Sequence, residues 1–232
     1  MSATRNPGRY AGLLYVVTSI FGFFAMGYVP SKIIVHGDAA ATAGNILAHE
    51  TLFRLGIASQ LIGMAGFIFV ALALYELLKG VNQRQAVLMV ILIVVSIPIA
   101  FANELNSLAA VALVRGADFL GVVDQSQRAA LAMFFLHLHG RGLVISELFW
   151  GLWLLPLGYL VFKSRFLPRF LGVWLALAGI GWVVLCFTGI LAPDYADKLN
   201  TYLQPAILGE IAFMLWLVIK GAKPPQMDAP AR

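Results

Sequence analysis

Along this chain the apolar residues come in runs too long for strands and too uniform for the helices of a water-soluble core. A helix crossing about 30 Å of hydrocarbon needs roughly 20 mostly apolar residues. Six segments meet that demand. The run 10–29 carries no charge, and 55–78 holds Gln60 near its start and Glu76 near its end. The run 86–107 passes from an uncharged stretch into Asn103-Glu104-Leu105-Asn106-Ser107. Of the last three, 143–162 contains one charge, Glu147; 170–191 contains none; and 203–219 contains Gln204 and Glu210. The segment 125–138 has too short an apolar part to span, so it is expected to extend the fourth span outward or to lie as an interfacial helix. The pattern predicts an all-α polytopic membrane protein. Its single domain, 1–222, is a bundle of six transmembrane helices, and a disordered tail, 223–232, follows.

Composition narrows the class further. The chain is 61% hydrophobic and only 12% charged, where soluble chains run nearer a quarter charged. The net charge of +5 does not imply nucleic acid, because the basic residues are scattered between apolar runs and form no stripe. One cysteine, Cys186, excludes internal disulfides and a thiolate-cluster metal site. The first apolar run is too long for a signal peptide and no small-residue cleavage site follows it.

Lys and Arg in short loops set orientation. With the N-terminus in the cytoplasm, ten of the sixteen basic residues fall on the inner side and four (Lys32, Arg115, Arg128 and Lys198) on the outer. Both termini are therefore expected inside. Tyr10, Tyr75 and Tyr159 then fall at inner ends and Tyr28, Tyr195 and Tyr202 at outer ends, as an interfacial aromatic belt requires. Pro98 and Pro156 lie inside spans, where each removes a backbone hydrogen bond. Gly56, Ser59, Gly63 and Gly66 make a stripe at three-four spacing, expected to be a close-packing face between helices.

The polar groups inside the spans carry the candidate chemistry. Counting about 1.5 Å per residue from the inner ends puts Glu210 about 15 Å deep, near mid-bilayer. Glu147 falls at about 24 Å, Glu104 at about 30 Å, Arg141 at about 33 Å and Arg54 at about 37 Å. This predicts a cup opening outward, with Glu210 as floor, Glu147 as wall and Glu104, Arg54 and Arg141 at the rim. Trp150 lies one turn below Glu147 on the same helical face. A charge at the bilayer centre costs about 2.5–3.5 kcal/mol, so Glu210 must be neutral, paired or in water. Against this stands snorkelling, and Glu50 with Arg54 at i, i+4 reads as an ordinary surface pair. Asn103, Asn106 and Ser107 read equally well as interhelical hydrogen bonders.

His137, His139, His49 and Glu50 are the candidate ligands for a divalent metal, since imidazole and carboxylate together suit zinc, copper or iron. Spacing counts against it. Residues i and i+2 of a helix point about 200° apart, so His137 and His139 converge only if Gly140 and Gly142 unwind the chain. No nucleotide-binding loop, zinc-protease helix or nucleophile elbow occurs.

Three stretches carry a family resemblance: Gly8-Arg9-Tyr10-Ala11-Gly12-Leu13-Leu14-Tyr15; Asn45-Ile46-Leu47-Ala48-His49-Glu50-Thr51-Leu52-Phe53-Arg54; and Phe149-Trp150-Gly151-Leu152-Trp153-Leu154-Leu155-Pro156-Leu157-Gly158 with Lys163-Ser164 and Leu167-Pro168-Arg169-Phe170-Leu171-Gly172. They resemble a family of bacterial integral membrane proteins known as domain of unknown function 4386. The resemblance implies a multi-pass protein of the bacterial inner membrane and brings no activity or catalytic residues. Three functions follow from the residues. The first is binding or transport of a small or lipid-like ligand through Glu210, Glu147, Glu104, Arg54, Arg141 and Trp150. The second is a metal-dependent hydrolase at headgroup level, and the third a non-catalytic assembly factor using the glycine stripe as its interface.

Overall fold

The computed structural model describes residues 6–117 and 120–224; most of the expected tail, 225–232, lies outside the described residues. The fold is all-helical, with no strand among the described residues. Helix α1 spans Pro7–Ile33, α2 Ala39–Ala48, α3 Glu50–Leu78, α4 Gln83–Arg115, α5 Gln125–Lys163, α6 Arg169–Leu191 and α7 Ala196–Ile219. All but α2 are long and apolar enough to cross a membrane, α7 together with the 3₁₀ turn Pro193–Tyr195 before it. Large apolar side chains such as Phe23, Phe69 and Ile219 face outward, which water would penalise and lipid does not. The chain is a multi-pass membrane protein.

Helix α5 runs unbroken through Gly140, Gly142 and Pro156. Its 39 residues reach about 58 Å, nearly twice the hydrocarbon thickness. The segment 125–138 is thus the first part of the fourth span's own helix. Gly140 and Gly142 do not unwind it, so His137 and His139 keep their divergent helical directions.

A capping box starts α5. Asp124 Oδ1 accepts from the Gln127 N–H at 2.9 Å and the Ser126 hydroxyl at 2.7 Å, while Gln127 Oε1 accepts from the Asp124 N–H at 3.3 Å. The Gln127 N–H, with the Ser126 hydroxyl, holds the Asp124 carboxyl below its ordinary value. A carboxylate whose folded pKa is depressed contributes stability above its unfolded pKa, about 3.9, and loses it as pH falls through the folded value. Amide protection factors in the first turn of α5 are therefore expected to fall in that acidic range. They should already be low at neutral pH in Asp124→Ala. Equal protection in the variant would show that the cap does not hold this end.

The described residues form two compact units. The first takes the described parts of Met1–Val16 and Glu147–Arg232 together with Phe67–Val95; the second takes Val17–Gly66 and Ser96–Ser146. In the first unit the start of α1 is clasped to the residues at and just after the end of α7. Gly8 N–H donates to the Ala222 carbonyl at 3.0 Å, Ala222 N–H to Asn6 Oδ1 at 3.0 Å and Arg9 to the Ile219 carbonyl at 3.2 Å. The orphan Gly8 N–H at the start of α1 and the orphan Ile219 carbonyl at the end of α7 both find partners there.

Also in the first unit, α5 and α6 form an antiparallel hairpin with glycines in the seam. A Cβ at Gly158 would lie 2.7 Å from the Gly172 carbonyl oxygen, and one at Gly151 2.5 Å from that of Gly179. The turn is short because buried Ser164 serves both sides of it, donating to the Val161 carbonyl at 2.8 Å and accepting the Leu167 N–H at 3.2 Å. Arg165 takes the left-handed backbone, φ 62°.

In the second unit the core is Val29, Ile33, Ile46, Phe53, Ile57, Val111 and Leu136 with their neighbours. Short α2 belongs to it. Asp38 caps α2 by accepting the Ala41 N–H at 2.8 Å, and Asn45 Nδ2 donates to the Ile33 carbonyl at 3.1 Å, closing the end of α1. The glycine stripe of α3 packs on α1: Gly56 on Val29, Gly63 on Phe21 and Gly66 on Thr18. That close-packing face is spent inside the chain, so the stripe is not a surface for another protein and the assembly-factor function loses its interface.

Candidate functional site

The second unit contains a cavity with about 60 Å³ of free space, room for about four waters at roughly 15 Å³ each. Its polar lining is Gln60 from α3, Glu104 and Ser107 from α4 and His139 from α5. One wall comes from α1, where five residues, Phe24–Tyr28, form a π-turn and Val29 N–H reaches back to the Phe24 carbonyl. The local cause is Pro30, which has no N–H to give Met26, its regular partner four residues back, and whose ring crowds that carbonyl. The wider turn relieves the crowding and is the kind of helical bulge common at functional sites. Ala25 and Met26, within it, line the cavity.

Helices α4 and α5 are pinned beside the cavity by Asn103. Its Nδ2 donates to the His139 carbonyl at 3.0 Å, and its carbonyl and Oδ1 both accept from Asn106 Nδ2 at 3.1 Å. A Cβ at Gly142 would collide with the Asn103 amide, so a glycine there allows the approach. His139 Nδ1 lies 3.3 Å from Ser107 Oγ, 3.4 Å from the Asn103 carbonyl oxygen and 3.8 Å from Glu104 Oε1. A carbonyl oxygen and a carboxylate both accept, so Nδ1 carries the proton and Nε2 is left with its lone pair when the ring is neutral. Ser107 and Glu104 thus stand at the same ring nitrogen. A nucleophilic triad needs them at opposite nitrogens, so this trio is not a serine-hydrolase site.

The remaining expected site residues divide between the units. In the second, Arg54 donates from Nε to Glu50 Oε1 at 2.7 Å, and Arg115 reaches the same oxygen at 3.4 Å. Glu50 with Arg54 is the surface pair, joined by a second arginine. Arg141, His137 and His49 are exposed. Among the described residues no three His, Cys, Asp or Glu side chains gather as a metal would require; of the four metal candidates His139 faces Glu104 and Glu50 faces arginines.

In the first unit, Glu210 accepts a hydrogen bond from the Tyr15 hydroxyl. Tyr15 is 2% exposed, edge-on to Phe67 at 5.2 Å and tilted against Trp153 at 6.2 Å, ring centre to ring centre. Glu147 is half-buried, within electrostatic reach of Cys186. One turn further on, Trp150 packs edge-on against Trp182 at 5.3 Å.

Sequence reasoning missed Tyr15, the π-turn and the place of Gln60. A signal existed for the first. Of seven tyrosines six fall at span ends, and Tyr15 is the one an interfacial belt does not use. Pro30, just beyond the expected end of the first span, was the signal for the second.

Comparison with known proteins adds kinship and no chemistry. An uncharacterized protein of the archaeon Archaeoglobus fulgidus is 37% identical over 82 residues, 34% of this chain and 46% of that protein, so the chain spans about half the length of this curated relative. No solved structure matches. Residues 10–221 match the domain of unknown function DUF4386, and the chain belongs to that family.

Proposed function

We propose that this protein, with both termini in the cytoplasm of a bacterial cell and its spans in the inner membrane, binds a small polar ligand in the cavity bounded by Gln60, Glu104, Ser107 and His139. One observation carries this. Glu104, 5% exposed, stands on a cavity wall with the Ser107 hydroxyl and the His139 imidazole beside it and no Lys or Arg in the lining. A buried carboxylate costs stability unless it is paired or has a use, and on a cavity wall that use is to receive a ligand. The pocket has the common make-up of small-molecule sites, an apolar lining with a few convergent polar groups. It is too small for a whole lipid, so a lipid-like ligand would enter only by its headgroup. Whether binding serves transport or sensing depends on how the ligand leaves.

Native mass spectrometry of protein released from membranes tests this. The wild type is expected to retain a small-molecule adduct that is absent from Glu104→Gln, which keeps the side chain's shape and removes its charge. The same spectrum for both proteins, with or without an adduct, would sink the proposal.

A further inference from the structure

Resting on the binding site just proposed, the lining points to a chemical class, and we infer that the ligand is a primary ammonium group on a short apolar stem. The argument is an inventory of donors and acceptors. Glu104 offers two acceptor oxygens and Ser107 and Gln60 one oxygen each, while a neutral His139 keeps a lone pair on Nε2; no Lys or Arg lines the cavity. With His139 neutral, the only formal charge in the lining is that of Glu104, and its polar groups can accept, which suits a cation with N–H donors.

The walls decide which cation. A bare magnesium or calcium ion demands six or more oxygen ligands, whereas most of this lining is apolar, with Ala25, Met26, Val29, Phe53, Ile57 and Leu136 among it. An ammonium group has three donors, for which the oxygens of Glu104, Ser107 and Gln60 are the acceptors in the lining. Its carbon stem meets the apolar walls without loss. Free space of about 60 Å³ admits about four heavy atoms at roughly 15 Å³ each. A quaternary ammonium, with no N–H, cannot use the acceptors. Such a group is presented both by an ethanolamine lipid headgroup and by a free small amine.

The test uses the whole protein in nanodiscs and reads its melting temperature. In discs of phosphatidylcholine alone, methylammonium chloride is expected to raise it saturably, and tetramethylammonium chloride at equal concentration is not. In Glu104→Gln the methylammonium needed for the same rise increases about tenfold or more, as loss of a charge-assisted hydrogen bond requires. Ser107→Ala, a change of one hydroxyl, weakens the response several-fold and keeps the inference testable if Glu104→Gln does not fold. Discs containing phosphatidylethanolamine and no free amine distinguish the sources. A rise there assigns the site to the lipid headgroup, and a rise with the free amine alone assigns it to a soluble ligand. No rise in any arm, an equal rise with tetramethylammonium, or an unchanged response in the variants would overturn the inference. If a Glu104-dependent adduct were still found by mass spectrometry, only the ammonium class would fall and the binding site would stand.

Discussion

Gly158→Val is expected to destabilise the folded protein severely. A Cβ at Gly158 would sit 2.7 Å from the Gly172 carbonyl oxygen and 2.9 Å from the Ala176 nitrogen, and these are backbone atoms that cannot swing aside like a flexible side chain. Overpacking a well-filled interior costs about 1–3 kcal/mol and more when the backbone must move. Valine adds two further methyl groups to the collision, so a loss of about 3 kcal/mol or more is expected, a large share of the 5–15 kcal/mol that holds a typical domain together. Replacing a helical glycine gains only about 0.5–1 kcal/mol of backbone entropy, too little to offset it. Gly44→Ala is the control. It lies in α2 and its Cβ would meet nothing within 4 Å, so it should show that gain alone. Melting temperature and size-exclusion profile in detergent check both. A monodisperse Gly158→Val melting like the wild type would mean the α5–α6 seam is not close-packed at this point.

The same seam explains what the family resemblance encodes. Its most specific stretch, from Phe149 to Gly172, contains Gly151, Gly158, Ser164 and Gly172, and these are the residues that let α5 and α6 touch and turn. That stretch is a recipe for a helical hairpin and says nothing of chemistry, which is why it brought a fold and no activity. The spans were legible because some 20 apolar residues in a row have few other uses, and the Gly56–Gly66 stripe because small residues at helical spacing invite a neighbour. The cavity was half legible. Glu104 and His139 each stood out, one as a rim charge and the other as a metal candidate, but the chain gives no hint that Asn103 and Gly142 bring them to 3.8 Å. His139 shares a helical face with Glu147, and periodicity made that the easier pairing to imagine. The structure gives it instead a carboxylate on another helix, 35 residues back in the chain. Glu147 belongs to the other unit.

Glu210 is the clearest case of a residue whose depth could be read and whose partner could not, since Tyr15 lies 195 positions away. Their pairing leads to the second large effect. Tyr15→Phe removes one hydroxyl and leaves the Glu210 carboxyl in place without that donor. The ring itself is held by Phe67 and Trp153, and the cost is that of a partly buried carboxyl that has lost its donor, about 1–3 kcal/mol. Glu210→Gln should cost less than about 1 kcal/mol, because the amide oxygen still accepts from Tyr15 and no charge has to be buried. The decisive variant removes both ends of the bond. Tyr15→Phe with Glu210→Met replaces a part-buried pair by apolar groups of similar size, which is commonly near neutral even where breaking the pair is expensive. The double variant should therefore melt closer to the wild type than Tyr15→Phe alone, with a coupling energy of about 1–3 kcal/mol between the sites. Melting curves of the four proteins in one detergent give that number directly. Additive costs would mean that Tyr15 and Glu210 do not depend on each other, and Glu210 would then have to be stabilised by a ligand or by water.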